Sequence, residues 1–121
     1  MNITPSILEN KNLINSYKEG KFLVNDKEYC SCIIVFPEKV IELKKVDIDN
    51  QKHFESFLTK EVEILLIGTG KTRNTPNPSV KAYLMERKGL NFEFMTTDAA
   101  CRTHNVLILE DRFVVSYLVA L

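Results

Sequence analysis

Hydrophobic and polar positions alternate over the first third of the chain and then change period. Leu13 to Tyr17, Phe22 to Val24, Tyr29 to Val35 and Val40 to Leu43 form short β-type segments, broken by Glu19-Gly20, Asn25-Asp26 and Pro37-Glu38. Turn residues at such intervals mark an antiparallel meander. From Asp47 to Asn50 the chain offers helix caps, and Phe54, Phe57 and Leu58 follow at helical spacing, predicting a helix that ends near Lys60. Val62 to Ile67 is an almost unbroken apolar run stopped by Gly68, the pattern of a strand buried on both faces. Asn77 and Pro78 then open a second helix carrying Val80, Tyr83 and Leu84 on one side, with Gly89 placed to end it. Leu90 to Met95 returns as a strand. Strand, helix and strand in this order make a right-handed βαβ unit with a parallel pair.

The last segment allows two readings, because Val106 to Leu109 alone suits either a strand or a buried helix turn. A helix from Asp98 to Glu110 fits better: Thr96 or Thr97 can cap it, Asp98 suits its positive end, and Ala99, Thr103, Val106 and Leu107 keep helical spacing. This assigns Ala99, Thr103 and Val106 to the core and turns Asp98, Arg102 and Asn105 to the neighbouring strand end. A final strand, Phe113 to Val119, completes an α/β fold with an N-terminal meander.

The chain has 121 residues, 45% of them hydrophobic and 26% charged, which suits one domain over residues 1–121, with 1–12 expected to be flexible. Sixteen basic and sixteen acidic side chains cancel. Without a positive excess, nucleic acid is not expected as a partner. No stretch approaches the roughly 20 apolar residues of a membrane span, and Met1 to Ser6 lacks the form of a signal peptide, so a cytoplasmic location is expected. Three cysteines suit a reducing compartment. Cys30 and Cys32 lie two apart on the expected strand, but a closed zinc site needs about four ligands and no second pair exists, so no metal is expected.

Gly68-Thr69-Gly70-Lys71-Thr72 ends like a phosphate-binding loop, yet the first glycine of that motif would fall at Leu65, inside the strand. The dinucleotide fingerprint fails at Arg73. The glycines therefore either let another backbone come close or help form a site, because ligands of open α/β sheets gather beyond the carboxyl ends of the strands. Two such ends, Gly68-Thr69-Gly70 and Thr96-Thr97-Asp98, with Arg102 and Asn105, outline a candidate polar crevice. Asp98 and Arg102 also have the spacing of a simple ion pair. Cys101 and His104, three apart, are the one candidate reactive thiol and imidazole. His53 on the first helix reads as a boundary residue. No carboxylate pair, Ser-His-Asp order or metal-spaced histidine cluster stands out.

Leu65-Leu66-Ile67-Gly68-Thr69-Gly70, Lys88-Gly89-Leu90, the run from Met95 through Ala99-Ala100-Cys101-Arg102-Thr103-His104-Asn105 to Leu107, and Asp111-Arg112 together resemble the signature of the MTH-type domain of unknown function. The resemblance extends from Tyr17 to the C-terminus. It implies a three-layer β/β/α fold with a central mixed sheet and supports the helix at Asp98 to Glu110. Members often carry tyrosine where His104 stands and glycine where Asp111 stands. They include a mitochondrial assembly factor of respiratory complex I, so the resemblance implies a non-enzymatic accessory protein with a protein partner and no cofactor. The alternative is an anion-binding protein, or an unrecognised enzyme, using the crevice.

Overall fold

The computed structural model describes residues 11–72 and 74–120. Strands β1 (Ile14–Lys18), β2 (Lys21–Val24) and β3 (Lys27–Tyr29) form the antiparallel meander. Its turns are two residues long, and Glu19, Gly20, Asn25 and Asp26 all have positive φ, the requirement of the tight hairpin turn whose twist matches the strands. Ile14, Phe22, Val24 and Tyr29 point inward, and Tyr17 stacks on Phe22 with ring centroids 4.6 Å apart.

The expected single strand from Tyr29 to Val35 is two. Tyr29 pairs with Phe22 in the meander, whereas Ile33 in β4 (Ile33–Val35) pairs with Leu118 in the central sheet. The chain changes sheets at Cys30-Ser31-Cys32. Alternation survives such a corner, so the pattern did not reveal it. Cys30 is exposed and Cys32 half-buried, its sulfur taking the Ala120 N–H at 3.2 Å; they do not share a strand face.

The central sheet has the order β5-β4-β8-β6-β7, with β5 (Val40–Glu42), β6 (Ile64–Gly68), β7 (Asn91–Met95) and β8 (Val114–Leu118). Parallel pairing joins β6 to β7 and to β8, while β4 runs antiparallel to both of its neighbours, β8 and β5, making the sheet mixed. Helix α1 (Gln51–Phe57) starts at Asn50, whose side chain accepts the Lys52 N–H, and stops three residues before Lys60. Helix α2 (Pro78–Glu86) starts at Asn77, whose side chain accepts the Val80 N–H, and forms the crossover between β6 and β7. Helix α3 (Thr97–Leu109) is capped by Thr96.

Phe54 and Phe57 of α1, with Val80 and Leu84 of α2, cover one face of the sheet against Leu65, Ile67, Val115 and Tyr117. The meander and α3 share the other face, over Ile33, Val35, Leu66, Val114 and Leu118. This is the expected three-layer β/β/α arrangement. Helix α3 is turned relative to expectation, however. Its buried side is Thr97, Ala100, Cys101, His104 and Ile108, while Val106 is 55% exposed. Neighbouring apolar positions allow either rotation, and the observed one buries polar side chains that find internal partners.

At the end of α3 the Asp111 N–H bonds the Ile108 carbonyl and the Arg112 N–H bonds that of Leu107, with Asp111 at φ 59. This double closure favours glycine at the left-handed position, the residue that members of the resembling family often carry there. Within the segment 1–12, expected to be flexible, Asn12 is hydrogen-bonded to the loop before β5. Its N–H reaches the Pro37 carbonyl at 2.8 Å and its side chain donates to Phe36 and Lys39. Residues 1–10 lie outside the described residues.

Candidate functional site

The Gly68-Thr69-Gly70 loop and the start of α3 do come together, and most of their polar groups bond to one another. Gly68 has no room for a side chain: a Cβ there would lie 2.8 Å from the Thr97 Cα. Close approach of α3 to β6 thus needs glycine. Thr97, fully buried, receives the Gly70 N–H on its Oγ1 at 2.8 Å and donates to the Val119 carbonyl at 2.7 Å. Thr97 N–H returns a bond to the Gly70 carbonyl, with Gly70 at φ 98. Thr69 Oγ1 donates to the Thr72 carbonyl at 2.6 Å and accepts the Asn74 N–H at 3.0 Å. The loop is a clasp joining β6, β8 and α3.

A shallow concavity of about 770 Å³ remains outside the clasp, lined by Tyr17, Lys18, Glu19, Gly70, Lys71, Thr96 and Asp98. Of the expected crevice residues, Gly70, Thr96 and Asp98 line it. Gly68, Thr69 and Thr97 lie beneath or beside it in structural roles. Arg102 pairs with Asp98 at 2.6 Å, with about two thirds of each side chain exposed, where an ion pair contributes at most about 1 kcal/mol. Asn105 does not face the loop. Its side chain accepts the Ile14 N–H at 2.8 Å and donates to the Ile14 carbonyl at 2.7 Å, fastening α3 to the meander. The rotation of α3 accounts for this: the side that holds Asn105 turns to β1. Tyr17, Lys18 and Glu19 were missed because a hairpin tip packed beside a loop some fifty residues later leaves no local sequence signal.

Cys101 and His104 share the buried side of α3 without forming a reactive pair. Burial pushes the Cys101 thiol up to about 12, with the Asp98 charge adding to the effect. His104 sends Nδ1 to the Ser116 hydroxyl at 2.8 Å and Nε2 to the Asn12 carbonyl at 3.1 Å. A carbonyl only accepts, so Nε2 carries the proton and Nδ1 takes that of Ser116. Burial holds the ring near pKa 4, the Asn12 bond opposing the shift. It is a neutral core residue near pH 7. His53 joins another network, its Nε2 lying 3.0 Å from the Tyr117 hydroxyl, which accepts the Asp47 N–H; burial raises Tyr117 to about 12.

A second concavity, about 490 Å³, opens at the other end of the sheet, near the start of β8. Phe36, Phe57 and Phe113 form its floor and Lys11, Lys39 and Arg112 part of its rim, with the Lys39 Nζ 4.6 Å from the Phe36 ring centroid. Glu38, Glu61 and Asp111 balance those cations. Among the described residues no group of three or more potential metal ligands occurs.

A family model for a "Protein of unknown function (DUF498/DUF598)" matches residues 14–119. The chain belongs to that family. A relative by sequence, the "13 kDa major membrane protein" of Francisella tularensis subsp. holarctica (strain LVS), is 35% identical over 100 residues, covering 79% of this chain and 80% of the relative. NADH dehydrogenase [ubiquinone] 1 alpha subcomplex assembly factor 3 of Xenopus tropicalis is 26% identical over 111 residues, 88% of this chain and 60% of that protein. The chain thus spans about three fifths of that assembly factor. A Mth938-like domain of Bordetella pertussis has the same fold, with a TM-score of 0.76 at 22% identity over 99% of this chain and 90% of its own. The resemblance read from the motifs is therefore correct. Among the described residues, no helix is long and apolar enough to cross a membrane.

Proposed function

We propose that the chain is a non-enzymatic accessory protein that acts by binding another protein, in the assembly of a respiratory NADH:quinone oxidoreductase. The observation that carries this reading is the similarity to assembly factor 3 over 88% of the chain. The phenylalanine-floored concavity supports it, since an apolar floor within a charged rim suits an anchoring side chain of a partner. Affinity capture with a tagged chain tests the reading. It is expected to retain subunits of the oxidoreductase through washing, and recovery of no stable partner would count against it.

The same reading places the chain in the cytoplasm, recovered with membranes only through its partner. That agrees with the name of the Francisella relative, and a carbonate wash that failed to release the chain would contradict it. Lys18 and Lys71 at the crevice favour a second reading, an anionic metabolite held beside Gly70 and Thr96. Glu19 and Asp98 line the same space and oppose an anion there, which ranks this reading below protein binding. A thermal-shift screen separates the two, because a ligand at 100 times its Kd adds about 2.7 kcal/mol.

A further inference from the structure

The central sheet ends at β7, and among the described residues no strand lies beyond it. Asn91 N–H bonds the Glu63 carbonyl and the Met95 carbonyl accepts the Thr69 N–H, so alternate residues of β7 turn their backbone groups to β6. Phe92 and Phe94 consequently turn theirs to the open side. Their rings, 5.8 Å apart, are half-buried on the helix-covered face. Helix α2 adds to this margin. Tyr83 lies on the flank of α2 that faces α1, through Arg87, which bonds both the Tyr83 hydroxyl and the Thr59 carbonyl. A helical step of about 100° puts Met85 on the opposite flank, toward β7, and Met85 is 68% exposed.

The other face of β7 differs in character: Met95 at its end packs against the core beneath α3, and the rest is open. Asn91 and Glu93 are exposed there, beside α3, and Glu93 is the one charged residue of the strand. Natural edge strands are blunted by proline, bulges or charge; β7 has a regular five-residue register with β6, no proline, and that single carboxylate.

We infer that the β7 edge accepts an extended segment of a partner protein that carries a lysine or arginine opposite Glu93, flanked by apolar residues lying against Phe92, Phe94 and Met85. The inference rests on the protein-binding reading and deepens it by naming the surface and the chemistry of the partner. Main-chain bonds to Phe92 and Phe94 provide attachment, and alternate side chains provide selectivity. A second copy of this chain fits less well, because antiparallel pairing over the whole strand sets Glu93 against Glu93, and like charges directly opposite are destabilising.

The test uses two soluble extended peptides, each with a Val-X-Val centre between threonines, X being lysine in one and glutamate in the other. NMR hydrogen exchange of the Phe92 and Phe94 amides is the readout. The lysine peptide at saturation is expected to slow exchange at both amides at least tenfold, with the glutamate peptide at least fivefold weaker in affinity. Glu93→Lys is expected to reverse that preference; the residue is exposed, and the variant's fold is verified by its amide spectrum. Unchanged exchange with both peptides, or no reversal in the variant, overturns the inference, as does protection that grows with protein concentration alone, which would make the occupant a second copy. Failure here leaves the accessory-protein reading to the capture experiment.

Discussion

Replacing Gly68 with alanine is expected to destabilise the protein by about 2 kcal/mol. The added Cβ would lie 2.8 Å from the Thr97 Cα, 3.1 Å from its Oγ1 and 3.2 Å from the Ala100 Cβ. The nearest atom belongs to the backbone of the first turn of α3, so no side-chain rotation relieves the clash. Overpacking of this sort costs about 1–3 kcal/mol. Moving α3 outward also stretches the Thr97 bonds to Gly70 and Val119, and one buried bond weakened adds about 1 kcal/mol. The opposing effect is the smaller freedom of alanine in the unfolded chain, about 0.4–1 kcal/mol. With slopes of about 1–3 kcal/mol per molar urea, the unfolding midpoint should fall by about 1 M at unchanged slope. Gly89→Ala is the control: it has φ +79 and nothing within 4 Å of the new Cβ, so only backbone strain applies, about 1 kcal/mol. A Gly68→Ala midpoint equal to that of the wild type would refute the close-packing account of the clasp.

Asn105→Ala should cost about 1–3 kcal/mol, because the Ile14 N–H and carbonyl both lose their side-chain partner; an unchanged denaturation midpoint would show that this fastening contributes nothing. Asp111→Gly should stabilise by about 0.5–1 kcal/mol by relieving the left-handed conformation at φ 59, and a loss of stability in thermal melts would contradict that. Because burial holds the folded pKa of His104 near 4, below the ordinary histidine value of 6.5, the unfolded chain binds the proton more readily. Its contribution is therefore complete above about pH 6.5 and is lost as pH falls toward 4, on the order of 3 kcal/mol across the window. His104→Gln should flatten the stability–pH curve there, and an equal slope in both proteins would exclude His104 as the cause.

Much of the fold could be read locally. Asn77-Pro78 opened α2, the apolar run at Val62 to Ile67 marked the buried strand, and turn residues marked both hairpins, because each feature acts within a few residues. Two errors arose where the decision was not local. The strand pattern ran unbroken across the corner at Cys30 to Cys32, since either sheet satisfies the same alternation. The rotation of α3 depended on partners far away in sequence: Ser116 and Asn12 stabilise a buried His104, and Ile14 claims Asn105. The candidate crevice was half legible for the same reason. Its glycine loop and helix start were visible in the chain, but the meander tip at Lys18 and Glu19 and the inward Thr97 bonds depend on tertiary packing.

The most direct test of the accessory role is deletion of the gene in the organism that encodes it, followed by native-gel measurement of assembled NADH:quinone oxidoreductase and of its activity in membranes. The account predicts that the assembled complex and its activity fall together and return when the intact chain is supplied again. Full assembly and full activity in the deletion strain would contradict it.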